Sequence, residues 1–216
     1  YIADAYSMTG TDPDFATDND NIGFEDGGMT LVTAADLTVD TGSGTGGNIS
    51  IEGAIAGTSG GGTTTVTLEA GSGTVGVAGM GTDIGNVQID GSGGITLNGS
   101  ITKAAGNIDI NDAVQLATGA ITLTTANGSV DFASTINGGQ NLTISSGTGA
   151  VGLNGVIGGT TTIGTLTINA ASASNTSSGV ITIEDIGDGD TIGAGATNIG
   201  KTPTPDLNLV GDTYKH

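Results

Sequence analysis

Short apolar–polar–apolar triplets recur along most of this chain, as in Val66-Thr67-Leu68 and Val87-Gln88-Ile89. Alternation with a period of two is typical of a β-strand that buries one face. The pattern therefore predicts a succession of short strands separated by turns. Further triplets lie at 37–39, 49–51, 75–77, 95–97, 108–110, 121–123, 130–132, 142–144, 151–153, 166–168 and 181–183.

The spacing of these triplets indicates a repeat. Val66, Val87 and Ile108 follow one another at intervals of 21 residues, and Leu142 precedes Leu166 by 24. One coil made of a strand, a turn, a second strand and a second turn needs about 20–25 residues. We therefore predict an all-β chain folded as a parallel β-helix, or β-solenoid, with two strands in each coil.

The turn sequences and the scarcity of aromatic side chains help to distinguish the solenoid from its main alternative, a β-sandwich. The 216 residues include 42 Gly but only 3 Pro, and Asn-Gly and Gly-Gly pairs separate the triplets. These pairs supply positive φ at corners, but Asn-Gly also favours antiparallel hairpins. Between residues 25 and 213 the only aromatic residue is Phe132. A sandwich usually packs around buried aromatic side chains, so the composition favours the narrower solenoid.

Both ends of the chain depart from the repeats. We predict an acidic, aromatic N-terminal cap or junction at 1–28, solenoid repeats at 29–197, and a Pro-containing extended segment at 198–216. Stacked coils leave an open sheet edge at each end, which must be capped or paired. Disordered linkers at both ends are the alternative. The aromatic residues outside the repeats are predicted to carry self-association: Tyr1, Tyr6, Phe15, Phe24 and Tyr214.

Charge excludes several partners. The net charge is −19, with 22 acidic residues against 3 Lys and no Arg, and no charged residue occurs at 132–183. Such a chain cannot neutralise a phosphate backbone, so we expect no nucleic-acid partner. No apolar run reaches 18 residues, so we expect no membrane span. There is no Cys, which excludes disulfides and thiol chemistry.

Two acidic segments are candidate calcium sites. Calcium binds six to eight oxygen atoms from flexible loops, and closely spaced Asp with Gly or Asn between them can supply these ligands. Neither segment has the spacing of an EF-hand or of the nonapeptide calcium repeat. A solvated acidic loop is the alternative, and no cofactor is expected to be required. The candidate ligands are Asp185, Asp188 and Asp190, and, near the N-terminus, Asp12, Asp14, Asp18 and Asp20.

Catalytic groups are sparse. The only histidine, His216, is the last residue, so the fold cannot set it in a triad. A pair of carboxylates could hydrolyse glycosides, with Asp109, Asp112 and Asp131 as the candidates. Asp109 alternates with apolar Ile108 and Ile110, which predicts an outward, solvated side chain. We therefore expect a protein that is not an enzyme.

The segment 128–159, GSVDFASTINGGQNLTISSGTGAVGLNGVIGG, and the following 163–170, IGTLTINA, resemble the repeats of large bacterial surface and secreted proteins of the filamentous-haemagglutinin type. The resemblance covers about 37–185, and the segments 1–28 and 198–216 depart from it. It implies a right-handed parallel β-helix, export, and a role in adhesion, biofilm matrix or surface-layer assembly. It carries no catalytic residues over to this chain.

These observations predict an extracellular or cell-surface structural protein. It would act as a stiff solenoid spacer or a self-assembling fibre or surface-layer subunit, with copies of itself as partners, end to end or laterally. The alternative is a glycan-binding adhesin with a surface or matrix polysaccharide as its partner. Ice binding is a weaker hypothesis, because it needs outward Thr in register on successive coils, and the outward residues look mixed. Its candidates are the Thr clusters at 63–65, 122–124 and 160–162.

Overall fold

The computed structural model describes residues 6–9, 12–25, 27–32, 35–58, 63–81, 83–102, 106–168, 179–188, 192–200 and 207–216. No helix occurs among these residues. The strands pair in parallel and stack in three faces, named here A, B and C in the order in which the chain crosses them. The predicted all-β parallel solenoid is therefore confirmed.

Face B is the longest and runs the whole length of the solenoid as one nine-stranded sheet. Because parallel strands lie about 4.8 Å apart, eight steps give a stack of about 38 Å. Its strands are β2 (Asp14–Ala16), β5 (Leu37–Asp40), β8 (Thr64–Glu69), β10 (Ile84–Asp90), β13 (Ile108–Ile110), β16 (Val130–Phe132), β19 (Val151–Leu153), β21 (Ile181–Ile183) and β23 (Leu207–Leu209).

Face A consists of two sheets. Met80 joins them, because it bridges in parallel to Ile55 on one side and Ile101 on the other. The first sheet contains β1 (Tyr6–Thr9), β4 (Met29–Val32) and β7 (Ile55–Gly57). The second contains β12 (Ile101–Thr102), β15 (Ile121–Thr124), β18 (Leu142–Ser145), β20 (Ile163–Ile168) and β22 (Ala194–Ile199).

Face C begins as a six-stranded sheet and ends as a row of single-residue bridges through Ile157, Ile186 and Tyr214. Three faces in each coil differ from the two predicted from the spacing. In several coils the additional element is only two residues long, as in β12 and β17, or a single bridging residue such as Met80, and these elements are too short to show alternation. The strands of face C are β3 (Ile22–Phe24), β6 (Ile49–Ile51), β9 (Val75–Val77), β11 (Ile95–Leu97), β14 (Val114–Leu116) and β17 (Ile136–Asn137).

Apolar positions set the register between coils. Val66 pairs with Val87, and Val87 pairs with Ile108, so the 21-residue interval is the length of one coil. All three side chains are fully buried. A slip of one residue would turn every inward side chain to solvent, which is why these rows hold the register. Leu142 and Leu166, 24 residues apart, are likewise direct partners because the longer turn between them is accommodated outside the ladder.

The core is a narrow column of aliphatic side chains enclosed by the three faces. One continuous cluster of buried residues runs from Tyr6 in the first coil to Ala194 in the last. The ladders extend beyond the predicted repeat region of 29–197, because β2 pairs with β5 and β21 pairs with β23. The terminal coils are therefore built on the same plan as the repeats.

Asn and Asp side chains add hydrogen bonds between coils. In one series Asn86 Oδ1 accepts from the backbone N–H of Asn107 (2.9 Å), and Asn107 Oδ1 accepts from that of Ser129 (3.0 Å). A second series joins Asn21 to Asn48 (2.7 Å) and Asn48 to Thr74 in the same way. In both series the acceptor lies in the earlier coil and the donor in the later one.

No helix in the described part of the chain has the length and apolar character needed to cross a bilayer.

Candidate functional site

Aromatic side chains close the N-terminal end of the core. Tyr6 comes from face A, Phe15 from face B and Phe24 from face C, and these three form the aromatic cap. The ring of Phe24 lies 5.4 Å from that of Tyr6 and 5.1 Å from that of Phe15, with T-shaped geometry in both pairs. Edge-to-face packing of this kind adds a favourable interaction to the free energy gained by burying the rings. The cap therefore covers the end of the column.

In the part of the chain that the structure describes, the C-terminal end of face B has no comparable cover. Along one inward row Ile181 is fully buried, whereas its partner in the last coil, Leu207, is 43% exposed. In the neighbouring row Ile183 is buried and its partner Leu209 is 51% exposed. Val210, which follows, is 64% exposed. Leu207, Leu209 and Val210 form what we term the open end.

Tyr214 closes part of the same end on face C. Its hydroxyl accepts from the Gly211 N–H (3.1 Å) and lies within donating distance of the Ile183 carbonyl oxygen (3.2 Å). Partial burial, and then the nearby carboxylates of Asp185 and Asp212, raise the pKa of the Tyr214 phenol, while the Gly211 hydrogen bond acts in the opposite sense. Tyr214 is thus held by hydrogen bonds to its own coil and to the preceding one.

The five aromatic residues predicted to carry self-association fall into three groups. Tyr6, Phe15 and Phe24 come together in the aromatic cap, and Tyr214 lies at the opposite end. Tyr1 is outside the described residues. Tyr6 and Phe24 are buried, at 9% and 4% exposure, so they pack inward within the first coil. Their contact with a second copy stays a prediction. Sequence reasoning missed the open end, although the last Leu-Asn-Leu triplet was its signal.

The two ends carry different charged groups: the first coil is acidic, whereas the last coil has basic side chains together with the carboxylate of Asp212. The first coil carries Asp12, Asp14, Asp18 and Asp20, and the sequence contains no basic residue before Lys103. In the described part of the chain, the basic side chains are those of Lys215 and His216, both in the last coil. His216 Nδ1 lies 3.1 Å from Thr197 Oγ1 on β22. The solenoid is therefore electrically asymmetric along its axis.

Two of the predicted calcium ligands, Asp185 and Asp12, accept hydrogen bonds from backbone N–H groups. Asp185 Oδ1 accepts from the N–H groups of Asp212 (2.9 Å) and Thr213 (2.8 Å) in the next coil. Asp12 Oδ1 accepts from the Asp36 N–H (3.1 Å). Asp190 lies outside the described residues, and Asp188 is exposed.

In the N-terminal group, Asp18 Oδ1 accepts from the side-chain amide of its neighbour Asn19 (3.0 Å), and the Asp20 carbonyl oxygen accepts from Thr17. Asp14 is exposed on β2. Among the described residues of the whole chain, no three carboxylate, imidazole or thiol groups lie close enough together to hold a metal ion. Calcium binding at either segment stays a prediction.

An outward row of carboxylates on face B was not predicted. Asp40 pairs with Glu69, and Glu69 pairs with Asp90, so three acids lie in register on successive coils. They line an open groove of about 470 Å³ together with the Gly and Ser residues of the adjoining turns. Partial burial, and then the neighbouring Asp112, raise the pKa of Asp90. We term Asp40, Glu69 and Asp90 the acidic row.

The carboxylates considered for glycoside hydrolysis are divided between two places. Asp109 and Asp131 are direct partners on the outer surface of face B, and the outward position of Asp109 agrees with its alternation with Ile108 and Ile110. Asp131 Oδ1 accepts from the Asn154 side-chain amide (2.9 Å). Asp112 instead accepts from the Gly91 N–H (3.0 Å) beside the acidic row. A shallow groove of about 360 Å³ runs along Asp109, Asp131 and Asn154.

Threonine residues are better aligned on face A than the sequence suggested. Thr122, Thr143 and Thr167 are successive partners on the outer surface of β15, β18 and β20. Beside them, Thr124 pairs with Thr102 and Ser145. These two short rows contain no charged side chain, and they give face A a polar, uncharged surface.

Comparisons of this chain with models of protein families, with curated proteins and with solved structures find no match.

Proposed function

We propose that this chain is a non-enzymatic structural protein that acts outside the cell, at the cell surface or in a matrix, as a stiff β-solenoid spacer or fibre subunit. One observation carries the proposal: face B continues without interruption through nine parallel strands. Each inner strand is hydrogen-bonded on both edges, so bending the rod would break ladder bonds in several coils together.

The inter-coil side-chain bonds support stiffness independently. The Asn86–Asn107–Ser129 series locks neighbouring coils together at the corner that precedes face B. These side-chain bonds add to the backbone bonds between the same coils, such as that from the Ile108 N–H to the Ser129 carbonyl oxygen, and so oppose local opening. The narrow aliphatic core resists compression because protein interiors are close-packed.

The proposal that the protein is exported and has an adhesive role rests on the sequence. The segment 128–159 resembles the repeats of the filamentous-haemagglutinin type, and a parallel solenoid is the fold that this resemblance implies. The net charge of −19 disfavours nucleic acid and anionic lipid as partners. Copies of the same chain, or the neutral polysaccharides of a matrix, are compatible with the charge.

A glycan-binding adhesin is the second candidate. The groove beside Asp109 and Asp131 carries carboxylate, amide and hydroxyl groups, with Asn154 and Thr182 among its lining residues. These groups can form hydrogen bonds with sugar hydroxyls. The groove is shallow and lacks an aromatic side chain among its described lining residues, so we rank this function second.

A distance measurement tests the stiff rod. Asp14 and Asn208 are exposed and lie at opposite ends of one outward row of face B. The chain has no Cys, so Asp14→Cys and Asn208→Cys accept spin labels at these two positions alone. Eight inter-strand steps predict one narrow distance distribution near 38 Å, widened only by the label arms. A broad or multimodal distribution in diluted, folded protein would contradict a stiff spacer.

Two further measurements test the extracellular location and the glycan-binding alternative. Immunogold labelling of the producing cells should place the protein outside the cytoplasmic membrane, and cytoplasmic label alone would contradict export. A glycan array discriminates the adhesin. Binding that is lost in Asp131→Ala but kept in Glu52→Ala, a change at an exposed site away from the groove, would favour the second candidate.

A further inference from the structure

Exposed apolar side chains concentrate at one end of the solenoid. The large hydrophobic residues that are exposed in the described part of the chain are Val180, Ile192, Leu207, Leu209 and Val210. All except Val180 belong to the last coil. Leu207 and Leu209 continue the inward rows whose preceding members, Ile181 and Ile183, are buried, so their exposure marks the place where a further coil would stack.

Among the described residues, no strand pairs with the outer side of the last coil. β23 pairs with β21, and β22 pairs with β20, and each is the terminal strand of its sheet. An edge strand that combines free N–H and C=O groups with apolar side chains is a template for another strand. At the opposite end, β1, β2 and β3 are the terminal strands of the same three faces.

The two ends match in register. Following partners from coil to coil, the inward row that begins at Phe15 ends at Leu209. On face C the inward row that begins at Ile22 ends at Tyr214. A second copy stacked with its first coil on this last coil would therefore set Phe15 against Leu209 and Ile22 against Tyr214. Every strand would stay parallel.

Charge favours the same orientation. Lys215 follows Tyr214, so stacking sets it beside strand β3 of the next copy, which Asp20 and Glu25 flank. Two first coils facing each other would instead bring acidic segments together. Opposite charges across an interface favour the complementary pairing and exclude the like-charged one.

We propose that the open end, formed by Leu207, Leu209 and Val210, is a docking surface for the N-terminal coil of a second copy, which gives head-to-tail polar rods. This docking proposal rests on the proposed structural role of the chain, and it specifies which two surfaces join. Such a contact is heterologous, and because it does not close on itself it propagates. Nine strands per copy at about 4.8 Å predict an increment of about 43 Å for each added chain.

Sedimentation velocity and negative-stain microscopy of the full chain test this proposal. We expect concentration-dependent rods that lengthen in steps of about 43 Å and shorten as salt rises. Leu209→Lys should abolish growth, because it introduces a charge into the contact at a side chain that is already half exposed. Val180→Lys is the matched control, an exposed apolar residue away from the last coil, and it should assemble like the wild type. Circular dichroism of each variant verifies folding.

A charge exchange and a capping experiment complete the test. Lys215→Glu should weaken assembly about tenfold or more, and Glu25→Lys in the same chain should restore it. Leu209→Lys chains, which keep an intact first coil, should shorten wild-type rods when mixed in small amounts. Growth unchanged by Leu209→Lys, a tail-to-tail dimer that stops at two chains, or a wild type that stays monomeric would each overturn the docking proposal. A monomer with one narrow label distance would still leave the spacer role standing.

Discussion

Removal of the Phe24 ring tests whether the aromatic cap holds the first coil in place. Phe24 is 4% exposed and contacts both other rings of the cap. For a buried Phe→Ala change the cost is about 3–5 kcal/mol of unfolding free energy, from lost transfer energy and the cavity left behind. Phe15 is only half-buried, so Phe15→Ala should cost about 1–2 kcal/mol by the area it covers.

The double variant isolates the contact between the rings. T-shaped pairs add about 0.5–1.5 kcal/mol beyond area, so Phe15→Ala with Phe24→Ala should cost less than the sum of the single changes by that amount. Phe132 is fully buried in a distant coil, so Phe132→Ala should combine additively with Phe15→Ala. Urea unfolding followed by far-UV circular dichroism gives the free energies.

Hydrogen exchange then locates the damage. A solenoid opens coil by coil, so loss of the cap should raise exchange at the amides of β3 and β6 before it affects the middle of the rod. If Phe24→Ala lies within about 0.5 kcal/mol of the wild type, a difference typical of surface substitutions, the cap does not stabilise the end. Zero coupling between folded Phe15 and Phe24 variants would equally refute the reasoning.

Further predictions concern charge, sterics and metal. The pKa of Asp90 is raised in the folded chain, so the ionised carboxylate of Asp90 destabilises the fold. This destabilisation is absent below the ordinary pKa of 3.8 and develops as the pH rises through the folded pKa. Asp90→Asn should therefore melt above the wild type at pH 7 and match it near pH 3. Gly128→Ala should cost about 1–3 kcal/mol, because its Cβ would overlap the Gly106 carbonyl oxygen, while Gly139→Ala, with open space around it, should melt like the wild type. Calcium should raise the melting temperature by several degrees and EDTA should reverse the gain; a flat response would remove the metal hypothesis.

The stacking of coils could be predicted because apolar residues that share a row must recur at the coil length. The interval from Val66 to Val87 to Ile108 gave the pairing found in face B. A third strand in each coil could not be predicted, since in several coils one element, such as the Met80 bridge, is a single residue long and carries no periodicity. Their place is decided by the neighbouring coils.

The candidate sites were less predictable than the fold. The Leu207-Asn208-Leu209 triplet has the same pattern as Ile181-Thr182-Ile183, and only the absence of a described strand beyond it exposes the leucines. The acidic row likewise joins residues that are 29 and 21 positions apart, so turn lengths had to be known before Asp40, Glu69 and Asp90 could be aligned. The four aromatic residues of the set that the structure describes lie in the first and last coils, but their inward packing depends on tertiary contacts that the sequence does not show.

The direction of the Asn-mediated bonds has a consequence for biosynthesis. Asn48 and Asn107 each accept a backbone N–H from the coil that follows, so a finished coil presents oriented acceptors before its successor is made. A chain emerging from a ribosome or a secretion channel, amino end first, can then add each new coil to a prepared template. We expect truncations from the carboxyl end to stay folded down to a few coils, whereas deletion of the first coil should delay refolding; equal refolding rates for the two series would exclude such vectorial growth.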